Sequence, residues 1–279
     1  MADNAVPQIA QDIVEGYKNS DDSRWPTYDG YYLNRAHFVT ASQVGNCERW
    51  TWFDKQRSQN DERALIPVTD LDVLPAGVTP DGWGYFSRGH NVERWIVDML
   101  LSSDSDWHYW GLGADQVSYY DGYQSGTPDG FASNRARRRK GAPTLLEFKS
   151  YDPRSNTYKF PRTSHKMQVQ QNIHVASECL DVEIEQAVIY YGDASDYSSC
   201  KEFTIERDDK IIQELSAKST KIMMARRADD MEPEGLYTGQ CSLCPFGSQC
   251  SDAVKQNKTV TEQARRRRRL ADDVFKKRK

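Results

Sequence analysis

Two short segments decide the fold of this chain: Thr127-Pro128-Asp129-Gly130 and, after a basic loop, Leu145-Leu146-Glu147-Phe148-Lys149. The second segment predicts a strand, in which residues two apart share a face, so Glu147 and Lys149 point the same way while Phe148 faces the core. If the segments pair, Asp129 approaches Glu147, and two carboxylates offer hard oxygen ligands to Mg²⁺ or Mn²⁺ beside a lysine. Taken singly, these residues also have structural explanations. Asp129 fits a Pro-Asp-Gly turn, and Glu147 with Lys149 fits an ion pair on a half-exposed strand.

The surrounding sequence predicts helices and strands in mixed order. Apolar residues recur at helical spacing after Ser87, and Ser42 is a candidate cap for a short helix that carries Cys47. The remaining predicted elements are helices over 164–178 and 208–228, strands over 116–123, 144–150, 184–191 and 201–206, and a loop-rich stretch over 54–86. This order favours the α/β class, with a core sheet flanked by helices.

Charge is distributed unevenly along the 279 residues, whose formal net charge is -4. Residues 255–279 contain eleven basic and three acidic residues, a net +8, which leaves -12 for residues 1–254. An acidic body with a basic arm is typical of proteins that hold a polyanion near a site. A second basic run covers residues 135–140. A solvated helix face or a flexible tail explains either basic run alone. The candidate nucleic-acid-binding residues are Arg135, Arg137, Arg138, Arg139, Lys140, Arg265, Arg266, Arg267, Arg268 and Arg269.

The carboxylate segments resemble the PD-(D/E)xK nuclease superfamily, in which an Asp on one strand and a Glu-x-Lys on the next form the metal site. Asp129 and Glu147-Phe148-Lys149 match that pattern. The RecB-like branch adds a helix with a Gly followed four residues later by an acidic residue or His, and Gly89 with Glu93 has this spacing. It also adds a helix with Gln-x-x-x-Tyr, where Gln168 matches but Asn172 stands in place of the Tyr.

The resemblance implies roles for these residues. Mg²⁺ or Mn²⁺ would be held by Glu93, Asp129 and Glu147, with the Phe148 backbone carbonyl as an extra ligand and His90 as an alternative upstream ligand. The catalytic set would be Asp129, Glu147, Lys149 and Gln168. In that set Lys149 orients or helps deprotonate the attacking water and stabilises phosphate charge, and Gln168 holds the water or the scissile strand.

The cysteines form a second group. Cys241, Cys244 and Cys250 have the spacing C-x2-C-x5-C, and a fourth ligand must come from elsewhere, with Cys47 as the natural candidate. Without a signal peptide the thiols are expected to stay reduced, so this group favours a metal site. Spacing alone leaves zinc and iron-sulfur open. Cys179 and Cys200 are expected to be ordinary thiols.

The layout of one Cys before the nuclease core and three after it resembles the iron-sulfur subgroup of RecB-like nucleases, which includes the CRISPR-associated exonuclease family known as Cas-four. This resemblance implies a structural 4Fe-4S cluster that joins the N- and C-terminal parts of the chain, with zinc as its competitor. It extends from about Ser42 to Cys250 and is compatible with a phage-encoded member.

Three regions are therefore expected: a helical extension over 1–40, a RecB-like nuclease domain with its iron-sulfur module over 41–254, and a basic tail over 255–279. The expected function is a metal-dependent DNA exonuclease acting on single-stranded ends, in DNA end processing, recombination or CRISPR-type adaptation. The alternatives are a cluster-free phage recombination exonuclease and a non-catalytic DNA-binding adaptor. DNA is the expected partner, with a recombinase or integrase as a second.

No apolar stretch reaches the roughly 18 residues that cross a bilayer, so a cytoplasmic protein without membrane contact is expected, or a nuclear one if the source is eukaryotic.

Overall fold

A computed structural model describes residues 8–9, 12, 37–60, 80–134, 142–154, 159–234, 240–242, 244–247 and 249–250. Within these residues the helices are α1 (Glu48–Asn60), α2 (Pro80–Ser102), α3 (Thr163–Leu180) and α4 (Asp209–Met224). The strands are β1 (Val39–Thr40), β2 (Trp107–Trp110), β3 (Tyr119–Asp121), β4 (Gln124–Gly126), β5 (Gly130–Asn134), β6 (Thr144–Tyr151), β7 (Gln186–Asp193) and β8 (Cys200–Glu206). None of the described helices is long and apolar enough to cross a membrane.

The central sheet has five strands in the order β2-β5-β6-β7-β8. Strands β6 and β7 are parallel and are joined by α3, whereas the other neighbours are antiparallel. A parallel pair needs a crossover of this kind, and the helix covers one face of the sheet. Helix α2 covers the opposite face, where Leu146 and Phe148 of β6 pack with Val92 and Ile96. The predicted mixed sheet flanked by helices is therefore confirmed.

Helix α3 packs between this sheet and a second, smaller one. On its sheet-facing side Val169 and Ile173 contact Leu145 and other buried residues of the central sheet. The smaller sheet has the order β1-β4-β3, and both β3 and β4 contact α3. The buried amide of Gln171 fixes α3 to the smaller sheet, because its Nε2 donates to the carbonyl oxygens of Val39 at 2.7 Å and Ser125 at 2.9 Å.

Several predicted element bounds were wrong. The helix expected from Ser42 begins at Glu48, since residues 41–45 form turns and Cys47 directly precedes the helix. The single strand expected over 116–123 is a short hairpin of β3 and β4, which turns at Gly122 with a positive φ of 53°. Helix α2 begins at Pro80, inside the stretch expected to be loop-rich, and β2 was not predicted.

Helix α1 is fixed to α4 and to the segment that follows α4 by partly buried polar contacts. The Glu48 carboxylate accepts hydrogen bonds from Lys221 Nζ at 2.8 Å and from the backbone N–H of Glu232 at 3.1 Å. Lys218 Nζ binds the Glu234 carboxylate at 2.8 Å and also donates to the carbonyl of Asn46. These contacts join residues far apart in sequence and fix the position of the chain around Cys47.

Candidate active site and thiol pocket

Asp129 lies immediately before β5, at the end of that strand nearest to β4. Its backbone N–H donates to the Leu146 carbonyl at 3.2 Å, and its Oδ2 accepts a hydrogen bond from the Phe148 N–H at 2.6 Å. The turn needs a glycine at position 130, because a Cβ there would lie 2.2 Å from Leu112 Cδ2. The two hydrogen bonds of Asp129 place its carboxylate against strand β6.

Glu147 is completely buried on the face of β6 that α3 covers. Its Oε1 accepts hydrogen bonds from Lys149 Nζ and from Gln168 Nε2, the latter at 2.5 Å. Its Oε2 accepts a hydrogen bond from Asn172 Nδ2 at 3.0 Å. Because Phe148 packs against α2 on the other face, the predicted alternation along β6 is confirmed.

Three carboxylates act on one another electrostatically at this site. Burial raises the pKa of Asp129 well above its ordinary value, and the negative charges of Glu147 and Glu93 raise it further. Burial also raises the pKa of Glu147, although Lys149 opposes the change. Burial alone would lower the pKa of Lys149, but the carboxylates of Glu147 and Asp129 outweigh it and leave that pKa raised. One cation therefore faces more negative charge than it can neutralise.

Glu93 lies on α2 at the side of this group. Its Oε1 accepts a hydrogen bond from Gln116 Nε2 at 2.7 Å, and its Oε2 is 3.8 Å from His90 Nδ1. The His90 side chain is half exposed. Gly89 lies where α2 crosses β6, with Ser150 Oγ 3.8 Å from the position of a Cβ. The sequence-predicted residues Glu93, Asp129, Glu147, Lys149 and Gln168 are thus brought together.

Other residues of the site were not predicted. Asn172 was only a departure from a motif, yet it is fully buried and binds Glu147. Asn172 also packs closely against Gly126, since a Cβ at position 126 would lie 2.2 Å from Asn172 Oδ1. Gln116 comes from a loop without a motif, and no pattern indicates its contact with Glu93. The Phe148 carbonyl as a ligand stays a prediction.

A histidine and a tyrosine lie next to Lys149 and were also missed. Tyr191 is the register partner of Lys149 on β7, and its hydroxyl is 2.7 Å from His165 Nδ1. The backbone N–H of Arg162 donates to the same hydroxyl at 3.2 Å. Burial and the positive charges of Lys149 and Arg162 lower the pKa of His165 to about 3, so its imidazole is neutral at physiological pH.

The four cysteines that the sequence grouped together line one pocket. The pocket is formed by Cys47, Cys241, Cys244 and Cys250, with Arg49, Trp50, Phe53 and Gln240 around them. Burial raises the pKa of the Cys244 thiol, a backbone hydrogen bond from Phe246 opposes this, and the other three thiols raise it again. Cys179 is exposed and Cys200 is half buried.

Gln240 connects the two chain segments of this pocket. Its Oε1 accepts a hydrogen bond from the Cys47 N–H at 2.7 Å, and its Nε2 donates to the Gly45 carbonyl at 3.1 Å. The rings of Phe53 and Phe246 stack beside it with centroids 5.6 Å apart. Residues separated by almost 200 positions therefore meet through the hydrogen bonds of Gln240 and through ring contacts.

The donors at the two sites suit different metals. Carboxylate oxygens suit Mg²⁺ and Mn²⁺, and four thiols suit zinc or an iron-sulfur cluster. In the part of the chain that the structure describes, no three His, Cys, Asp or Glu side chains are arranged to hold a metal ion as they stand. At the carboxylate site Glu147 instead binds Lys149, Gln168 and Asn172.

The predicted nucleic-acid-binding residues lie outside the described residues. They are Arg135, Arg137, Arg138, Arg139 and Lys140, together with Arg265, Arg266, Arg267, Arg268 and Arg269. Their assignment stays a prediction, as do most of the expected N-terminal extension and the basic tail.

Comparison with known proteins gives only distant matches. No family model and no curated protein matches this chain. The crystal structure of SSO0001 matches with a TM-score of 0.45 at 12% identity, over 87% of this chain and 94% of that one. The alkaline exonuclease LHK-Exo from Laribacter hongkongensis matches with a TM-score of 0.45 at 16% identity, over 76% and 97% of the two chains. Its complex with dAMP has a TM-score of 0.46 at the same identity, over 76% and 98%. Scores and identities this low assign neither a family nor an activity.

Proposed function

We propose that this chain is a metal-dependent DNA nuclease of the PD-(D/E)xK type that hydrolyses phosphodiester bonds at single-stranded ends. The observation that carries the proposal is the convergence of Glu93, Asp129 and Glu147 on Lys149, at the junction of α2, β5 and β6. Buried carboxylates in excess over cations are costly unless a positive ligand joins them. Hard oxygen donors beside a lysine are the groups that metal-assisted phosphodiester hydrolysis requires.

Glu93, Asp129 and Glu147 would hold the divalent ion. When bound, Mg²⁺ or Mn²⁺ would lower the pKa of a water molecule and polarise the phosphate. Gln168 and Asn172 fix both oxygens of Glu147, so that carboxylate is held in one orientation. The Phe148 N–H does the same for Asp129. Such outer contacts orient ligands and are part of a metal site.

Lys149 would stabilise negative charge on the phosphate. The carboxylates of Glu147 and Asp129 raise its pKa, which suits an ammonium that contacts a phosphate oxygen. It is tethered to Glu147 and is partly accessible, so its Nζ can reach a phosphate oxygen above the sheet. An ammonium fixed where charge develops stabilises the transition state more than the ground state.

We further propose that the thiol pocket holds a structural 4Fe-4S cluster, as in the Cas-four-like subgroup of RecB-like nucleases. The proposal is supported by the arrangement of Cys47, Cys241, Cys244 and Cys250 around one pocket. Four thiolates also suit zinc, so metal analysis has to separate the two. The Gln240 and Glu48 contacts fix the two chain segments around this pocket.

The test is cleavage of end-labelled single- and double-stranded DNA by anaerobically purified protein with Mg²⁺, Mn²⁺ or EDTA. Lys149→Ala should lower the rate by about 100-fold or more while leaving DNA affinity unchanged, because it removes a charge that acts on the transition state. The matched control is Lys210→Ala, which removes an exposed lysine of α4 that lies outside this group of residues. Iron, sulfide and zinc content are measured on the same samples.

Each outcome has a distinct meaning. Metal-dependent cleavage that is lost in Lys149→Ala, from protein with iron and sulfide, supports both proposals. Cleavage by protein without iron would leave a cluster-free recombination exonuclease. DNA binding without cleavage under any metal would leave a non-catalytic adaptor, and full activity in Lys149→Ala would refute the assigned site.

A further inference from the structure

A group of cations near the candidate site has no acidic partner among the residues that the structure describes. Arg88 and Arg154 both bind Asp152, and Lys149 binds Glu147. By contrast, Lys159, Arg162, Lys166 and Lys201 form no ion pair with any residue of the described chain. We call these four residues the cationic edge. Lys159, Arg162 and Lys166 are exposed and Lys201 is half exposed. In a body that carries net negative charge, an unpaired cationic group of this size needs an explanation.

The cationic edge adjoins the candidate site through the sheet. Lys149, Tyr191 and Lys201 are register partners across β6, β7 and β8. Neighbouring strands are about 4.8 Å apart, so Lys201 starts about 10 Å from Lys149 on the same row of the sheet. Arg162 reaches the same row, because its backbone N–H binds the Tyr191 hydroxyl.

An aromatic ring organises two of the cations. The guanidinium of Arg162 lies 5.7 Å from the centroid of Phe160, and Lys201 Nζ lies 5.6 Å from the same centroid. Lys201 Nζ is also 5.8 Å from the centroid of Tyr151. Such contacts orient a cation without neutralising it, so its charge stays available to a ligand.

Helix α3 connects these cations with Glu147. Arg162 immediately precedes the helix, Lys166 lies in its first turns, and Gln168 binds the Glu147 carboxylate. His165, between them, is kept neutral by burial and by the nearby charges of Lys149 and Arg162. The start of α3 thus carries exposed cations outside the site, and Gln168 of the same helix binds Glu147 within the site.

We propose that the cationic edge of Lys159, Arg162, Lys166 and Lys201 binds the phosphates of the DNA strand that runs beside the phosphate held at Glu147 and Lys149. The proposal rests on the nuclease function above and adds a surface that the sequence did not indicate. Exposed lysines and arginines that form no ion pair with the described residues suit a backbone of repeated phosphates, whose binding needs charge and not a fixed pocket. The partner is therefore a DNA strand bound without regard to base sequence.

The experiment compares two double variants of the full chain. Arg162→Gln with Lys201→Gln removes two charges from the cationic edge and keeps polar side chains there. Lys210→Gln with Arg226→Gln removes the same residue types from exposed positions on and after α4, which form no ion pair in the described chain. Thermal unfolding of all proteins checks that the folds are equally stable.

Affinity for a fluorescently labelled oligothymidylate is measured by anisotropy in EDTA, between about 50 and 200 mM salt. The plot of log affinity against log salt should become shallower by about 1.4 in the cationic-edge variant, since each lost phosphate contact on a single strand contributes about 0.7. The control variant should keep the wild-type slope.

The outcomes separate this proposal from the nuclease function. If the two double variants have the same slope while wild-type protein binds and cuts DNA, the cationic edge is not the binding surface and the nuclease assignment stands. If wild-type protein neither binds nor cuts DNA, both proposals are overturned. A slope that falls only in the cationic-edge variant supports the surface.

Discussion

The substitution Asn172→Asp changes one group in a fully buried contact of the candidate site. Asn172 Nδ2 donates to Glu147 Oε2 at 3.0 Å, and Asn172 Oδ1 has no hydrogen-bond partner within the described residues. The new side chain has the same size, so the packing against Gly126 is unchanged. What changes is electrostatic, because a donor is replaced by a second carboxylate facing Glu147.

The magnitude follows from that distance. Two carboxylate charges about 3 Å apart repel by about 5 kcal/mol at an effective dielectric constant of about 20. The substitution also removes an amide hydrogen bond to a charged group, which contributes about 1.5–3 kcal/mol. A proton shared by the two carboxyls relieves both costs, because a protonated carboxyl donates to Glu147 as the amide did.

The pH dependence has a definite sign. In the unfolded chain the new carboxyl loses its proton near pH 4, whereas in the folded protein burial and Glu147 raise its pKa. The folded state then binds more protons than the unfolded state, so stability falls as pH rises above about 4. The loss is about 1.4 kcal/mol per pH unit, or about 3 kcal/mol between pH 5 and pH 7.

The assay is urea unfolding of metal-free, reduced protein at pH 5 and pH 7, followed by circular dichroism. Wild-type protein supplies the baseline, because its own buried acids also lower the free energy of unfolding as pH rises through their raised pKa values. Gln213→Glu, at an exposed position of α4, controls for adding a carboxylate. If Asn172→Asp differs from wild type by the same free energy at both pH values, the placement of Asn172 against Glu147 is refuted.

Three further predictions concern the amides and the tail. Gln168→Ala should lower the cleavage rate by about 10- to 100-fold with unchanged DNA affinity, because it frees the Glu147 carboxylate, and equal loss of affinity would argue against this role. Gln240→Ala should lower the iron retained per chain and speed thiol labelling of Cys47, since it removes both contacts of its amide. Gln249→Ala, at an exposed position next to Cys250, serves as the control, and equal iron content in both variants would contradict the role of Gln240. Deletion of residues 260–279 should weaken DNA binding and flatten its salt dependence, and an unchanged slope would show that the tail does not bind DNA.

The central sheet was predictable because its elements have strong local signals. The period-two pattern of β6 and the helical spacing around Val92 reflect burial of one face, which any sequence reading can detect. Helix α1 was placed too early because Ser42 resembles a cap, whereas residues 41–45 form turns. The two-residue strand β1 has no periodicity to detect, and its pairing with Gln124 depends on tertiary contacts.

The candidate site was predictable where two of its residues lie on the same strand. Glu147 and Lys149 share a face by strand geometry alone, and their contact follows from it. Asn172 and Gln116 join the site only because the fold brings them close to its carboxylates, and no sequence spacing identifies such an amide. The cationic edge depends on which cations lack partners, and only the fold decides that.

The carboxylate group and the thiol pocket have one physical property in common. In each, burial and neighbouring acids raise the pKa of at least one member, Asp129 in the first and Cys244 in the second. A cation that binds either group must displace the protons that such pKa values retain at low pH. Its affinity therefore rises with pH, and to the extent that it binds the folded chain more tightly than the unfolded chain, it stabilises the fold most where the bare groups repel most. For this reason, any cation that binds should counteract the loss of stability that these buried acids cause as pH rises.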